Sequence, residues 1–387
     1  MTILLPSPDQ LRRTGSLKWT GIQTSDGRPT LGAWVAEMDF ATAPPVADAM
    51  KRAIDDGLLG YQPTWLPERV AESLAEFQRR RFGWDLDPDH VRLVASVLPA
   101  LNATMDHLIR PGSPVIVPTP AYMPFLTLPE QHGHPVIQVP SLRERGWSLD
   151  LDGIRAGLEQ GAGLVVLCDP WNPTGRVLSE QELRDLHDLV SGYDALVFAD
   201  EIHSPLVLDD PGAFLSYARV APEHTVTATA ASKGWNIAGL PCGQVILPDD
   251  ALRERWDRAV GTGIAHEAST LGALGTIAAF AEGDAWQSEV REVLIGNIDR
   301  AVSAVAGTGI DLVRPQATYL TWWGFERAGL PGGAAPATLL RDKAGIAAND
   351  GSTLGADYAR WARLNLACSP AVADQIVEGV LGLVASH

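Results

Sequence analysis

Seven short apolar runs, alternating with longer helical patterns, constrain this chain of 387 residues more than any other feature. They occupy 91–96 (VRLVAS), 114–120, 134–140, 164–170, 195–200 (ALVFAD), 225–232 and 243–248. Runs of this kind read as strands covered on both faces. Between them lie segments such as 179–193, where Leu183, Leu186, Leu189 and Val190 recur at helical spacing behind Ser179 as N-cap. Strands alternating with helices predict an α/β protein with a mostly parallel sheet of about seven strands. Beyond residue 272 the pattern turns more helical, and 318–325 (TYLTWWGF) and 358–367 (YARWARLNLA) read as strands of a smaller α+β C-terminal domain. The expected organisation is an N-terminal segment, 1–42, packed on the small domain; a large domain, 43–275; and a small domain, 276–387.

Composition narrows the partners. With 30 Lys+Arg against 47 Asp+Glu, the net charge of −17 repels phosphate backbones and acidic membranes, so neither nucleic acid nor a membrane is expected. No run of eighteen apolar residues occurs, and the opening MTILLPSPDQLRR lacks a signal peptide's apolar region. Cys168, Cys242 and Cys368 are widely spaced with no CxxC, which argues against a disulfide scaffold and fits a reduced, cytoplasmic compartment. Neither HExxH nor GxSxG is present, so zinc-protease and serine-hydrolase chemistry have no support.

Polar residues recur where apolar runs stop, and in a parallel sheet that edge faces the ligand crevice. Lys233, in ASKGWNIAG, follows a β-prone run; it either reaches solvent or, desolvated, offers a neutral amine for a Schiff base. Asp200 closes LVFAD; it either caps the next turn or holds a pyridine nitrogen protonated. About one strand–helix–strand unit separates the two, so neighbouring strands can supply them. Asn172 lies in the turn NPTG, where proline would hold its amide for an oxygen acceptor. The run VASVLPAL enters a helix near Pro99, whose first free amides suit a phosphate. Tyr122, between prolines, can stack on a planar ring or pack in the core. Arg363, alternating with apolar neighbours in WARLNLAC, suits a substrate carboxylate or a structural ion pair.

Taken in order, WVAEMDF (34–40), GYQPTW (60–65), RFGW, PTPAYMPF, NPTGRV, ADEIHSPL, ASKGWNIAGL, ATYLTWW and RLNLAC resemble the fold type I pyridoxal-phosphate enzymes of the class I/II aminotransferase superfamily. WVAEMDF and DEIHS are most similar to the branch of cystathionine β-lyases and cysteine-S-conjugate β-lyases. The resemblance implies pyridoxal 5′-phosphate as cofactor, with Lys233 as the Schiff-base lysine and Asp200 as the pyridinium partner. It implies that Asn172 and His203 contact the phenolic oxygen, that Tyr122 stacks on the ring, and that the Val97 and Leu98 amides with Ser232 hold the phosphate. Arg363, with Asn172, would grip the α-carboxylate of an amino acid substrate, and Trp34 would face that substrate. Tyr61 would reach into the active site of the other subunit of a homodimer and help the chemistry there. The implied reaction is elimination of a thiol from a cysteine thioether, giving pyruvate and ammonia; transamination and decarboxylating or oxidative deamination are alternatives on the same cofactor.

Three positions depart from the family pattern: Trp171 replaces a histidine, Ala230 replaces a serine that would donate to phosphate, and Trp322-Trp323-Gly324 follows the TYL strand. If these line the substrate side, a bulkier thioether than cystathionine is expected.

Overall fold

The computed structural model describes residues 3–261 and 263–387. The seven runs form one sheet from Val91–Val94 (β1), Val115–Thr119 (β2), Val136–Pro140 (β3), Leu164–Cys168 (β4), Leu196–Asp200 (β5), Thr225–Thr229 (β6) and Gly243–Ile246 (β7). Its order is β1-β7-β6-β5-β4-β2-β3, parallel except for β7, which runs against both its neighbours. Alternation along the strands divides the core. Val115, Val117, Leu164, Val166 and Phe198 pack on one face, while Ile116, Val165, Leu167, Val197 and Ala199 pack on the other. Both faces exclude water, which is why the runs carry so few polar residues.

Among the helices are α1 (Pro44–Asp55), α2 (Leu66–Phe82), α3 (Val97–His107), α4 (Thr270–Glu282), α5 (Asp284–Val305) and α6 (Pro370–Ala385). Helix α3 starts at Val97 behind Ser96, two residues before the expected start; Pro99 sits in the first turn, where its missing N–H costs nothing. The helix over 180–190 forms with the expected cap, a reciprocal pairing of Ser179 and Glu182. The connection from β5 to β6 consists of 3-10 turns and loops, not the expected α-helix, although the two strands are parallel neighbours as anticipated.

A four-stranded antiparallel sheet in the C-terminal part joins Asn349–Asp350, Trp361–Asn365, Leu320–Gly324 and Asp311–Leu312 in that order. The N-terminal segment attaches here, with Leu31–Gly32 pairing parallel to Ile346–Ala347. A division after residue 275 would fall inside α4, which packs along α1 and α2, whereas α5 packs on α6. A Cβ on Gly283 would sit 2.2 Å from the Trp235 indole nitrogen, which donates to the Gly283 carbonyl at 3.1 Å. Among the described residues no helix is long and apolar enough to cross a membrane.

Candidate active site

The carboxyl ends of five strands meet at one edge of the large sheet, and each delivers a polar group there. Ser96 and Val97 follow β1, Tyr122 follows β2, Asn172 follows β4, Asp200 ends β5 and Lys233 follows β6. Because β7 is antiparallel, Cys242 at its start reaches the same edge. These residues, with Arg363 from the small sheet and Trp34 from the N-terminal segment, line a cavity of about 380 Å³. Leu98, His203 and Ser232 line it as well.

Local sequence fixes each position. Asn172 rides on a tight turn in which the Gly175 amide donates to the Trp171 carbonyl at 2.6 Å and the Trp171 amide to Arg176 at 2.8 Å. Gly175 has φ +72°, and a Cβ there would meet Pro315 at 2.2 Å, so only glycine closes this turn. Arg363 lies on an inner strand of the small sheet, directly opposite both Trp322 and Asn349. Its Nη1 donates to Asn172 Oδ1 at 3.0 Å, and its Nη2 donates to Asn349 Oδ1 at 2.7 Å and the Trp34 carbonyl at 3.1 Å. With its oxygen so engaged, the Asn172 amide keeps its N–H donors for an acceptor in the cavity.

Burial dominates the electrostatics. Desolvation raises the Asp200 carboxyl to about 7, against a weaker opposing pull from the Ile202 amide at 3.1 Å and the Lys233 charge. Desolvation, and then the Arg363 charge, lower Lys233, whose Nζ donates to the Ala36 carbonyl at 3.0 Å. His203 is pushed down to about 3 by burial and by the Lys233 and Arg363 cations, so it is neutral. Burial also brings Arg363 down to about 10.

Pyridoxal 5′-phosphate fits this donor set. Asp200 is a buried carboxylate with no cation in direct contact among the described residues, a position a protonated ring nitrogen would fill. His203 Nδ1 and Arg363 Nε are buried with no hydrogen-bond partner among the described residues, so the cavity contains polar atoms awaiting one. Helix α3 opens at the cavity with Ser96 making no side-chain cap bond, leaving the Val97 and Leu98 amides and the positive end of the helix for a phosphate. Ala230, which also lines the cavity, contributes no hydroxyl there.

Other expectations meet a different outcome. Trp171 does not line this cavity: it is buried in the core and its indole N–H donates to the Pro120 carbonyl at 2.8 Å. Trp322 stacks on Trp361 with ring centres 5.3 Å apart, and Trp323 is fully buried in the main core. Gly324 exists for that packing, since a Cβ would meet the Trp361 ring at 2.7 Å. Of the three departures only Ala230 faces the cavity, so the tryptophans give no ground for an unusual substrate. Tyr61 lies outside its own chain's cavity, with its side chain fully exposed at 103%.

Sequence reasoning missed three asparagines. Asn349 holds Arg363; Asn365 donates to the Val35 and Glu37 carbonyls, both at 2.7 Å; and Asn236 donates to Met38 at 2.9 Å while accepting from its amide at 2.8 Å. Asn365 alternates with Arg363 along a buried strand, and a polar pair on one face of an apolar strand was the available signal.

Comparison with known proteins places the site in context. Residues 35–380 match the family described as aminotransferase class I and II. A cystathionine β-lyase of Corynebacterium glutamicum is 34% identical over 368 residues, covering 94% of this chain and 95% of the relative. A crystal structure from Corynebacterium diphtheriae, described as a candidate PLP-dependent β-cystathionase, is 33% identical with a TM-score of 0.90 over 100% of both chains. A PLP-bound structure from Clostridium difficile, described as a candidate aminotransferase, is 26% identical with a TM-score of 0.89 over 97% of each chain.

Proposed function

This chain belongs to the class I and II aminotransferase family, and from that premise we propose that it is a pyridoxal 5′-phosphate-dependent carbon–sulfur lyase. Its substrate is a cysteine thioether, and its products are a thiol, pyruvate and ammonia. The observation that carries the reading is the convergence of Lys233, Asp200, Asn172 and Arg363 from separate strands on one cavity. Similarity to proteins described as cystathionine β-lyases and a β-cystathionase supports elimination over amine transfer.

When bound, the cofactor supplies an aldehyde for the substrate amine and a ring that withdraws electrons from Cα. The protein does the rest. Lys233, its basicity lowered by burial, takes the proton from Cα and can return it to the departing sulfur; such proton transfer is worth about 10²–10⁴-fold. Asp200 holds a proton at the ring nitrogen. Arg363 would hold the α-carboxylate through its free Nε and guanidinium edge, and it orients Asn172, whose N–H group would donate to the cofactor's phenolic oxygen beside His203. Tyr122 would cover the ring and Trp34 would close the substrate side, both lining the cavity.

The working enzyme is a homodimer in which Tyr61 enters the partner's cavity. Supporting this, Tyr61 is exposed together with Ile54, Leu59 and Trp65 in one short stretch of chain, apolar surface that a monomer would leave wet. All three cysteines are buried and unpaired, which supports a cytoplasmic location. The test is incubation of the holoenzyme with cystathionine and S-substituted cysteines. Thiol and pyruvate should appear in equal amounts with ammonia. Amine transfer to an added keto acid without pyruvate would replace the lyase by an aminotransferase, and active monomer on a sizing column would remove the role of Tyr61.

A further inference from the structure

The charged side chains lining the cavity are few, and the proposed reaction uses each of them. Asp200 takes the ring nitrogen, Lys233 the cofactor and the Cα proton, and Arg363 the α-carboxylate; no other Asp, Glu, Lys or Arg among the described residues lines it. Asn349 already accepts from Arg363. The wall following Lys233 is Ala238, Leu240, Pro241 and Cys242, and Met123 and Ile202 are apolar too. The segment that would close the cavity from a second copy, residues 57–65, reads GLLGYQPTW and carries no charge. Its Leu59 and Trp65 are exposed apolar side chains at 61% and 48%.

We propose that the sulfur substituent this site prefers is uncharged and apolar, and that the site discriminates against cystathionine. The inference rests on the lyase and dimer readings above and names the substrate class within them. Cystathionine carries an ammonium and a carboxylate at its far end. Bound with its α-carboxylate on Arg363, it would bring both ions against apolar walls with no counter-ion. An ion moved from water to such a place loses hydration that nothing replaces. An alkyl or aryl substituent of similar bulk loses nothing and gains burial.

The test compares L-cystathionine with S-(3-methylbutyl)-L-cysteine on the holoenzyme, reading pyruvate release. The two have the same branched carbon–sulfur skeleton, with methyl groups in place of the distal ammonium and carboxylate. Leaving-group strength works against the proposal, because the amino group of homocysteine acidifies its thiol and makes it the better leaving group. The expected result is a kcat/KM at least about tenfold higher for the neutral thioether, the difference residing mainly in KM. S-(2-aminoethyl)- and S-(2-carboxyethyl)-L-cysteine should both fall below S-propyl-L-cysteine. Equal or faster turnover of cystathionine overturns the inference while leaving the lyase intact. Failure of every thioether to yield pyruvate overturns the lyase reading, and this inference with it.

Discussion

The cavity has two walls built on different principles. On the large-domain wall, Asn172, Asp200 and Lys233 stand at the ends of β4, β5 and β6, whose positions are set by backbone ladders between parallel strands. The opposite wall is formed by Trp34, Val35 and Ala36, the start of the segment Trp34–Phe40, which has no regular structure. Side chains far away in sequence pin its carbonyls: Arg363 on Trp34, Asn365 on Val35 and Glu37, Lys233 on Ala36, and Asn236 on Met38 and Phe40. A buried ion pair, Lys18 with Asp39 at 3.1 Å, fastens its end, and Trp19 donates to the same carboxylate at 2.8 Å. A ladder spreads position over many bonds, so substitutions on the first wall should change chemistry and little else. A pinned strap depends on single side chains, so substitutions behind the second wall should loosen substrate without touching it.

The largest effects test the first wall. Lys233→Ala should lower turnover by at least about 10²–10⁴-fold and abolish the visible absorption of the holoenzyme, while leaving the fold unchanged by circular dichroism. Asp200→Asn keeps the shape and removes the charge. It should cost about 10²–10³-fold in kcat with cofactor retained, measured by steady-state pyruvate release. A rise in KM at constant kcat in either variant would erase the distinction between the walls.

The second wall should respond differently. Lys18→Met strands Asp39 in the core and should cost about 3–5 kcal/mol of stability by denaturant unfolding. Asn365→Ala frees two carbonyls and should cost about 1–3 kcal/mol, with KM rising several-fold and kcat nearly held. Turnover falling without a change in KM would show that the strap does more than position substrate.

The smallest effect is a pH dependence of the cofactor-free protein. Burial raises Asp200 from its ordinary value of 3.8 to about 7, so the folded state binds the proton more tightly than the unfolded chain. Its contribution is complete below about pH 4 and is lost as pH rises to about 7. Cofactor-free Asp200→Asn should therefore match the parent near pH 4 and melt a few degrees above it at pH 8 (about 1 °C per kcal/mol for a chain of 387 residues). A gap that opens instead toward acid would contradict the buried, uncompensated carboxylate.

The two walls also differ in how far the amino-acid sequence discloses them. All seven strands of the large sheet were legible because a run buried on both faces carries its own signature, and Lys233 and Asp200 were legible because charge at the end of such a run is unusual. The strap was not legible. Its geometry comes from side chains such as Asn365 and Asn236, over three hundred and nearly two hundred residues from the carbonyls they hold, and periodicity reports nothing about such contacts. The tryptophans misled for a related reason. Position 322 stands opposite Arg363 in the sheet, yet the ring turns away to stack on Trp361, and strand register alone does not reveal that choice.

One attachment point tests the proposed chemistry most directly. Reduction of the holoenzyme with borohydride, followed by digestion and mass spectrometry, should locate a single pyridoxyl-phosphate adduct on the peptide containing Lys233. An adduct on another lysine, or none anywhere in a protein that had taken up the cofactor, would contradict it.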